Sequence, residues 1–314
     1  MDMLVTEGIY DRMMGCLYGN AIGDALGLGT EFMSRDEVRR FYPQGLKEYC
    51  QIVQDEHRRR WSKGAWTDDT DMMLCLLGAF GPDGFNYRRA AKNFKDWYED
   101  NPVGIGRHIV KVLMCGDYTD APFEASKIMW ESTRYNSAAN GALMRTSVMG
   151  LWNPYVQTWV DEACMLTHYD PRCVISCRIA SVIIHNLVWA DKTLSKEEIL
   201  EMTTDSELVA YIDTAYFCAD IAELKIAEQP GIGYTYRTLA AALWCYWHSE
   251  SFESGLLAIV NEGGDADTNA AVACAILGAK FGYRSIPAYY IGNLHNENEY
   301  RDKCESFVRL VTGG

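Results

Sequence analysis

The chain has 314 residues, of which 48% are apolar, and its 29 basic and 43 acidic side chains give a formal net charge of −14. This acidity excludes diffuse binding to nucleic acid or to an anionic membrane, because both require a positive protein surface. The apolar content is enough for one large core, so we expect a single compact domain over residues 1–314.

Two further features indicate the compartment. No positively charged leader precedes an apolar segment, and the longest apolar stretch, 174–189, is interrupted by Arg178 and His185. The eleven cysteines are an odd number and are scattered through helical patterns, as expected for reduced thiols. We therefore expect a soluble, cytoplasmic monomer that does not enter a membrane.

Apolar residues recur with the period of an α-helix along the chain, and long alternating β patterns are absent. The first helical stripe runs through Met13, Leu17, Ala21 and Ala25, and a second apolar run covers 72–80. Further helices are predicted at 87–99, 105–115, 140–151, 157–168, 172–190, 206–228, 235–248, 252–262, 266–281 and 297–311. The connections contain Gly or Pro, and the pattern predicts an all-α fold.

Glycine recurs every four residues in the first helix, at Gly15, Gly19, Gly23 and Gly27. This spacing places the glycines on one side of the helix, where another backbone can approach closely. Membrane dimers use similar spacing, but the charged Arg12 and Asp24 favour packing in a protein core.

Two short acidic runs head predicted helices and lie far apart in the sequence. The first is Thr67-Asp68-Asp69-Thr70, and the second, after Gly263-Gly264, contains Asp265, Asp267 and Thr268. Carboxylates at a helix start can simply cap free N–H groups, and this alternative stays open for each run taken alone. Brought together, however, the runs would form an all-oxygen cluster suited to Mg²⁺ or Mn²⁺ rather than to zinc. A pair of cations would also relieve the mutual repulsion of the carboxylates.

The runs belong to a longer series of motifs that follow one another along the chain. The series comprises residues 19–27, Thr30-Glu31-Phe32, Thr67-Asp68-Asp69-Thr70, residues 140–145, Thr167-His168, Gly233-Tyr234 with residues 238–244, and residues 263–268. In this order the motifs resemble the ADP-ribosylglycohydrolase family, which includes hydrolases of ADP-ribosylarginine. The resemblance implies a single compact orthogonal helical domain with a dinuclear metal site, next to the first helix.

The resemblance also implies roles for individual residues. Two divalent cations, Mg²⁺ or Mn²⁺, would be held by six residues: Thr67, Asp68, Asp69, Asp265, Asp267 and Thr268. Glu31 would lie on a mobile flap and act in catalysis, and Asp69 or Asp267 would position the attacking water. Substrate contacts would come from Gly104, Gly106, His108, Asn140, Gly141, His168 and Tyr234. The residues alone favour a solvated acid at Glu31 and packing residues at His168 and Tyr234, and only the resemblance favours the functional roles.

The implied reaction is metal-dependent removal of ADP-ribose from a modified side chain, with N-linked arginine favoured. The alternatives are a serine linkage, a small ADP-ribosyl metabolite, or a non-catalytic protein that binds ADP-ribose or is purely structural. The chain departs from the family pattern at 103–108, where His108 fits the arginine-specific form, and at Arg237, where many members have Asp. The basic run His57-Arg58-Arg59-Arg60 is interpreted as a solvated loop or as a contact for an acidic target.

Overall fold

The computed structural model describes residues 3–313, with side chains from residue 7 onward. The α-helices are α1 Met3–Gly27, α2 Arg35–Phe41, α3 Asp68–Leu77, α4 Tyr87–Glu99, α5 Arg107–Leu113, α6 Pro122–Ser132, α7 Gln157–Met165, α8 Pro171–Ala190, α9 Lys196–Leu200, α10 Ser206–Phe217, α11 Thr235–His248, α12 Phe252–Val260, α13 Ala266–Phe281, α14 Ala288–Gly292 and α15 Glu297–Thr312. Short 3-10 segments occur at Tyr49–Gln51, Arg58–Arg60, Leu143–Leu151, Ile221–Leu224 and Tyr283–Ser285. The strands β1 Phe80–Gly81 and β2 Gly84–Phe85 form an antiparallel hairpin. The prediction of an all-α fold is confirmed.

Helices α1 and α13 form an antiparallel pair at the centre of the molecule. A Cβ atom at Gly15, Gly19, Gly23 or Gly27 would lie between 2.0 and 2.4 Å from a backbone carbonyl oxygen of α13. The opposing carbonyls belong to Gly278, Cys274, Ala270 and Ala266. The glycine stripe therefore lets two backbones touch, as the spacing predicts.

The other helices surround this pair. Helices α8, α11 and α12 pack against α13, and α3 packs against α1 and the Leu143–Leu151 segment. The buried apolar side chains form one continuous cluster from Ile9 to Val308. Helix α8 is long and apolar enough to cross a membrane, with a mean hydropathy of 1.6, but it contributes a row of buried side chains to this cluster. All eleven cysteines lie among the described residues and are free thiols.

Periodicity located most helices but misjudged some of them. The predicted helix 206–228 ends at Phe217, because Asp220 accepts a hydrogen bond from the Ala222 N–H and starts a separate 3-10 turn. The predicted helix 140–151 is a 3-10 segment that begins at Leu143, and the Asn140 N–H before it donates to the Gly233 carbonyl. The apolar run 72–80 leaves the helix at Leu77 and enters β1. Helices α2, α6, α9 and α14 were not predicted.

Candidate metal centre and substrate cavity

The two acidic runs come together in the folded chain, although they lie far apart in the sequence. Asp68 is the first residue of α3, and Asp265 directly precedes α13. Carboxylate oxygens of Glu31, Asp265 and Asp267 all lie within 4.8 Å of one another. The carboxylates of Asp69 and Asp265 are near enough to repel each other.

Helix capping does not explain these residues. Thr67 and Asp265 occupy the cap positions of α3 and α13, yet neither side chain accepts a hydrogen bond from the N–H groups of its helix. The Thr67 hydroxyl lies 2.9 Å from Asp24 Oδ1 and 3.0 Å from Asp69 Oδ2. Asp265 Oδ2 accepts a hydrogen bond of 2.7 Å from the Asn140 side chain. The side chains are therefore directed toward the cavity and its supporting residues.

Asp24 holds the start of α3 in place through hydrogen bonds. It is fully buried on α1, and its carboxylate accepts bonds from the backbone N–H and hydroxyl groups of both Thr67 and Thr70, at 2.7 to 3.0 Å. Asp24 is not among the site residues predicted from the sequence. Its position in the glycine-rich helix was the available signal, because a carboxylate in an otherwise apolar helix needs partners when buried.

Some carboxylate oxygens of the cluster have no hydrogen-bond donor among the described residues. Asp69 Oδ1 and Asp267 Oδ1 are buried and have no hydrogen-bond partner among residues 7–313. Burial, and then repulsion by neighbouring carboxylates, raises the pKa of Asp68, Asp69 and Asp267 well above the usual value. Burial also raises the pKa of Asp24 to about 7 and that of Asp265 to about 6. Unsatisfied buried oxygens in an all-oxygen set fit hard divalent cations.

Two cavities adjoin the cluster. The outer cavity, of about 440 Å³, is lined by Glu31, Phe32, His57, Arg60, Trp61, Thr67, Asp68, Gly104, Ile105, Gly106, Arg107 and Asp267. The inner cavity, of about 200 Å³, is lined by Glu31, Phe32, Asp68, Asp69, Gly104, Gly106, Arg107, His108, Ile109, Ala139, Asn140, Gly141, Met144, His168, Asp265, Asp267 and Thr268. The cavities share seven lining residues, among them Glu31, Asp68 and Asp267, so together they form one cleft beside the carboxylates.

All the predicted metal ligands and all but one of the predicted substrate contacts line this cleft. The exception is Tyr234, whose hydroxyl donates to Glu207 Oε1 at 3.0 Å and whose ring faces Arg172. Its backbone does approach the cleft, through a bridge between Tyr234 and Ala139. The role of the Tyr234 side chain stays a prediction.

A polar chain that the sequence did not reveal fixes Asn140. The Asn140 amide donates both to Asp265 and to the hydroxyl of Thr238, which lies 2.9 Å away on α11. Thr238 in turn donates to the Asn269 side chain on α13, at 2.7 Å. Three segments that are distant in the sequence therefore set the orientation of the Asp265 carboxylate.

The two predicted histidines lie side by side, with ring centroids 4.6 Å apart. His108 Nε2 donates to the Thr167 carbonyl at 2.8 Å, and the Thr167 hydroxyl lies 2.8 Å from His168 Nδ1. The same hydroxyl accepts a bond from the buried Arg145 side chain, which leaves its hydrogen for His168 Nδ1. His168 Nε2 is then the protonated nitrogen, and it has no partner among the described residues. Burial holds the pKa of both imidazoles below the usual value.

The turn that carries Glu31 is attached to the second acidic run. The Phe32 N–H donates to the Gly264 carbonyl at 2.6 Å, and the Gly264 N–H donates to the Met33 carbonyl at 2.8 Å. Phe32 has a positive φ of 61° and its side chain is exposed at the mouth of the cleft. Glu31 is therefore a buried group at the cluster and not a solvated surface acid; its mobility as a flap stays a prediction.

Comparison with known proteins agrees with this geometry. A sequence model of the family described as ADP-ribosylglycohydrolase matches residues 6–313. The ADP-ribosyl-[dinitrogen reductase] glycohydrolase of Rhodospirillum rubrum is 26% identical over 96% of this chain and 97% of its own length. The ADP-ribosylarginine hydrolase Tri1 of Pseudomonas putida (strain GB-1) is 28% identical over 92% of this chain and 75% of its own length.

A solved structure has the same fold. It is described as an ADP-ribosylglycohydrolase-related protein complex and superposes with a TM-score of 0.78 at 26% identity, over 97% of this chain and 99% of the other. The chain therefore belongs to the ADP-ribosylglycohydrolase family and is an enzyme that hydrolyses a glycosidic bond to ADP-ribose.

Proposed function

We propose that this enzyme releases ADP-ribose from an N-linked arginine side chain and that it depends on two divalent cations, Mg²⁺ or Mn²⁺. The observation that carries the metal dependence is the pair of buried oxygens, Asp69 Oδ1 and Asp267 Oδ1, that lack hydrogen-bond partners among the described residues. The cations would be held by Thr67, Asp68, Asp69, Asp265, Asp267 and Thr268. When bound, they would neutralise the carboxylates and supply Lewis acidity beside the ribose hydroxyls.

Glu31 favours arginine over serine as the modified residue, because it is the carboxylate of the outer cavity that is not a proposed cation ligand. A guanidinium is cationic and binds carboxylates well, whereas a serine hydroxyl gains little from them. Glu31 lines the outer cavity together with Arg60 and Arg107, and its carboxylate can accept hydrogen bonds from the guanidine that leaves. The name of the Pseudomonas putida relative agrees with this choice.

The residues of the chain would divide the chemistry as follows. A carboxylate oxygen of Asp267 or Asp69 that does not hold a cation would orient the attacking water and accept its proton as the water oxygen bonds to the anomeric carbon. The bond from that carbon to the guanidine nitrogen breaks, and the nitrogen takes up a proton equivalent to the one that the carboxylate removed from the water. Glu31 would cover the cleft when the turn that carries it moves as a flap. Near the diphosphate, the N–H of His168 and the backbone N–H groups of Gly104 and Gly141 would act as donors.

The wider setting is proposed on the same grounds. The substrate would be an ADP-ribosylated protein, and the enzyme would act as a single-domain monomer in the cytoplasm. The eleven free thiols support a reducing compartment.

The test is an assay of purified protein on peptides that carry ADP-ribose on arginine or on serine, and on ADP-ribosylated nucleic acid, each with Mg²⁺, Mn²⁺ or EDTA. We expect ADP-ribose release from the arginine peptide, loss of activity in EDTA, recovery on adding either cation, and an unchanged helical circular dichroism spectrum. Full activity in EDTA would refute the metal dependence. Release from the serine peptide alone would refute the choice of linkage.

A further inference from the structure

The basic run at residues 57–60 is solvated only in part, because Arg59 and Arg60 are exposed whereas His57 is half-buried and Arg58 is buried. Arg58 is buried, and its guanidinium donates to the carbonyl oxygens of Leu28 and Gly29, each at 3.0 Å, and of Glu31 at 2.5 Å. It thereby holds the backbone of the turn that carries Glu31. In contrast, the Arg59 side chain is 66% exposed and faces Glu56.

His57 holds the carboxylate of the same glutamate. Its Nε2 lies 2.5 Å from Glu31 Oε2, and its Nδ1 lies 2.6 Å from the Arg60 guanidinium. A guanidinium can only donate, so Nδ1 must be the unprotonated nitrogen. Nε2 therefore carries the hydrogen and donates it to Glu31.

The position of the imidazole ring is fixed as well. It lies between Phe32 and Trp61, with centroid distances of 5.3 and 5.4 Å. Arg60 also donates from Nε to the His57 carbonyl at 2.9 Å, and its guanidinium lies 4.4 Å from the Trp61 ring. With its tautomer and its orientation both set, His57 offers one N–H in one direction.

We propose that His57 is a positioning residue, which through this N–H holds the Glu31 carboxylate over the metal cluster, while Arg60 fixes the tautomer of His57. The role of Glu31 in the reaction rests on the proposed function. The hydrogen-bonded chain from Arg60 through His57 to Glu31 is a property of the fold alone.

The physical reason lies in where Glu31 sits. Its side chain is 10% exposed, and oxygens of Asp265 and Asp267 lie within 4.8 Å of its carboxylate. Without a donor, the carboxylate would turn away from these like charges. Loss of such an orienting partner typically costs about 10–100-fold in activity or metal affinity.

Kinetics of three variants measure this role. H57F keeps a ring but has no N–H, and should lower kcat by about 10–100-fold while KM and the Kd for free ADP-ribose change little. H57Q places an amide N–H near the position of Nε2 and should recover most of the lost kcat. R59A is the matched control in the same run, and should behave as the parent does.

A double-mutant cycle distinguishes positioning from general stability. If His57 acts through Glu31, adding H57F to E31Q should slow the reaction no further than E31Q alone does. Calorimetric titration with Mg²⁺ should give similar affinities for E31Q and for E31Q/H57F. Losses that multiply, or an R59A loss equal to that of H57F, would overturn the proposal.

The tautomer gives a test that does not need turnover. Nitrogen-15 NMR of the imidazoles, with the His57 signal assigned by its loss in H57Q, should show Nε2 protonated and Nδ1 unprotonated, and R60M should disturb this state. A protonated Nδ1 in the parent would refute the proposal. An inactive parent with the expected His57 spectrum would instead refute the proposed function and leave the hydrogen-bonded chain standing.

Discussion

Gly19 on α1 is packed against the backbone of α13 so closely that a single methyl group should separate the helices. A Cβ atom there would lie 2.0 Å from the carbonyl oxygen of Cys274 and 2.7 Å from its carbonyl carbon. Comfortable separations between non-bonded heavy atoms are about 3.5–4.0 Å, so G19A requires a displacement of more than ~1 Å. The contact is with backbone, so no side-chain rotation can relieve it.

The size of the effect follows from two opposing terms. Overpacking of a dense core costs about 1–3 kcal/mol, and the upper end applies here because the helix itself has to move. Alanine in place of a helical glycine returns about 1 kcal/mol of helix propensity. The net expectation for G19A is therefore a loss of about 2 kcal/mol in the free energy of unfolding.

Gly8 is the matched control, because it lies on the same helix, is exposed, and would have nothing within 4 Å of its Cβ. G8A should keep only the propensity term and gain up to about 1 kcal/mol. Urea unfolding followed by circular dichroism measures both variants. The bound-metal affinity of G19A should also fall, since Asp267 lies in the first turn of α13. A G19A protein as stable as the parent, or shifts of the same sign in both variants, would refute this account of the helix pair.

Two further predictions concern the carboxylates. D267N keeps the shape of the side chain but removes its charge, and it should lower turnover by at least about 100-fold. The control D36N changes a side chain that is 93% exposed and should leave turnover unchanged. A loss of less than about threefold in D267N would assign Asp267 a purely structural role. The second prediction concerns the pH dependence of stability. Folding raises the pKa of Asp24 to about 7 and that of Asp265 to about 6. The folded state therefore binds more protons than the unfolded chain between pH 4 and pH 7. The metal-free protein should therefore lose stability as pH rises from 5 to 8, and the midpoint of its urea unfolding should fall. Adding Mg²⁺ should restore the midpoint at pH 8. A metal-free midpoint that rises with pH over this range would contradict the predicted direction of the change in stability.

Local patterns in the sequence were sufficient for the helices that bury a stripe of their own residues. The predicted ranges 87–99, 235–248 and 266–281 match α4, α11 and α13, since a repeat of 3.6 residues is visible without knowing the partner. Short helices such as α9 have too few turns to display that repeat. The helix predicted at 206–228 failed because the capping bond of Asp220 competes with a continued apolar pattern.

Some residues of the site could likewise be predicted from the sequence, and others could not. The acidic runs and the glycine stripe could be predicted from the sequence, because each consists of several informative residues within a short segment. The partners that orient them were not readable from local sequence. Asp24 reaches Thr67 and Thr70, and Asn140 reaches Thr238 and Asp265, each across a large sequence separation.

By itself the sequence indicated which oxygen-bearing side chains line the cleft, which helix can be approached closely, and that the chain is all-α. Only the tertiary structure decided how the basic run is used. Arginines next to one another in sequence give no sign of direction, yet in the fold Arg58 is buried against the Glu31 turn while Arg59 faces solvent. Hydrogen bonds depend on the direction of each donor, and that direction is set by contacts between segments that the linear sequence does not bring together.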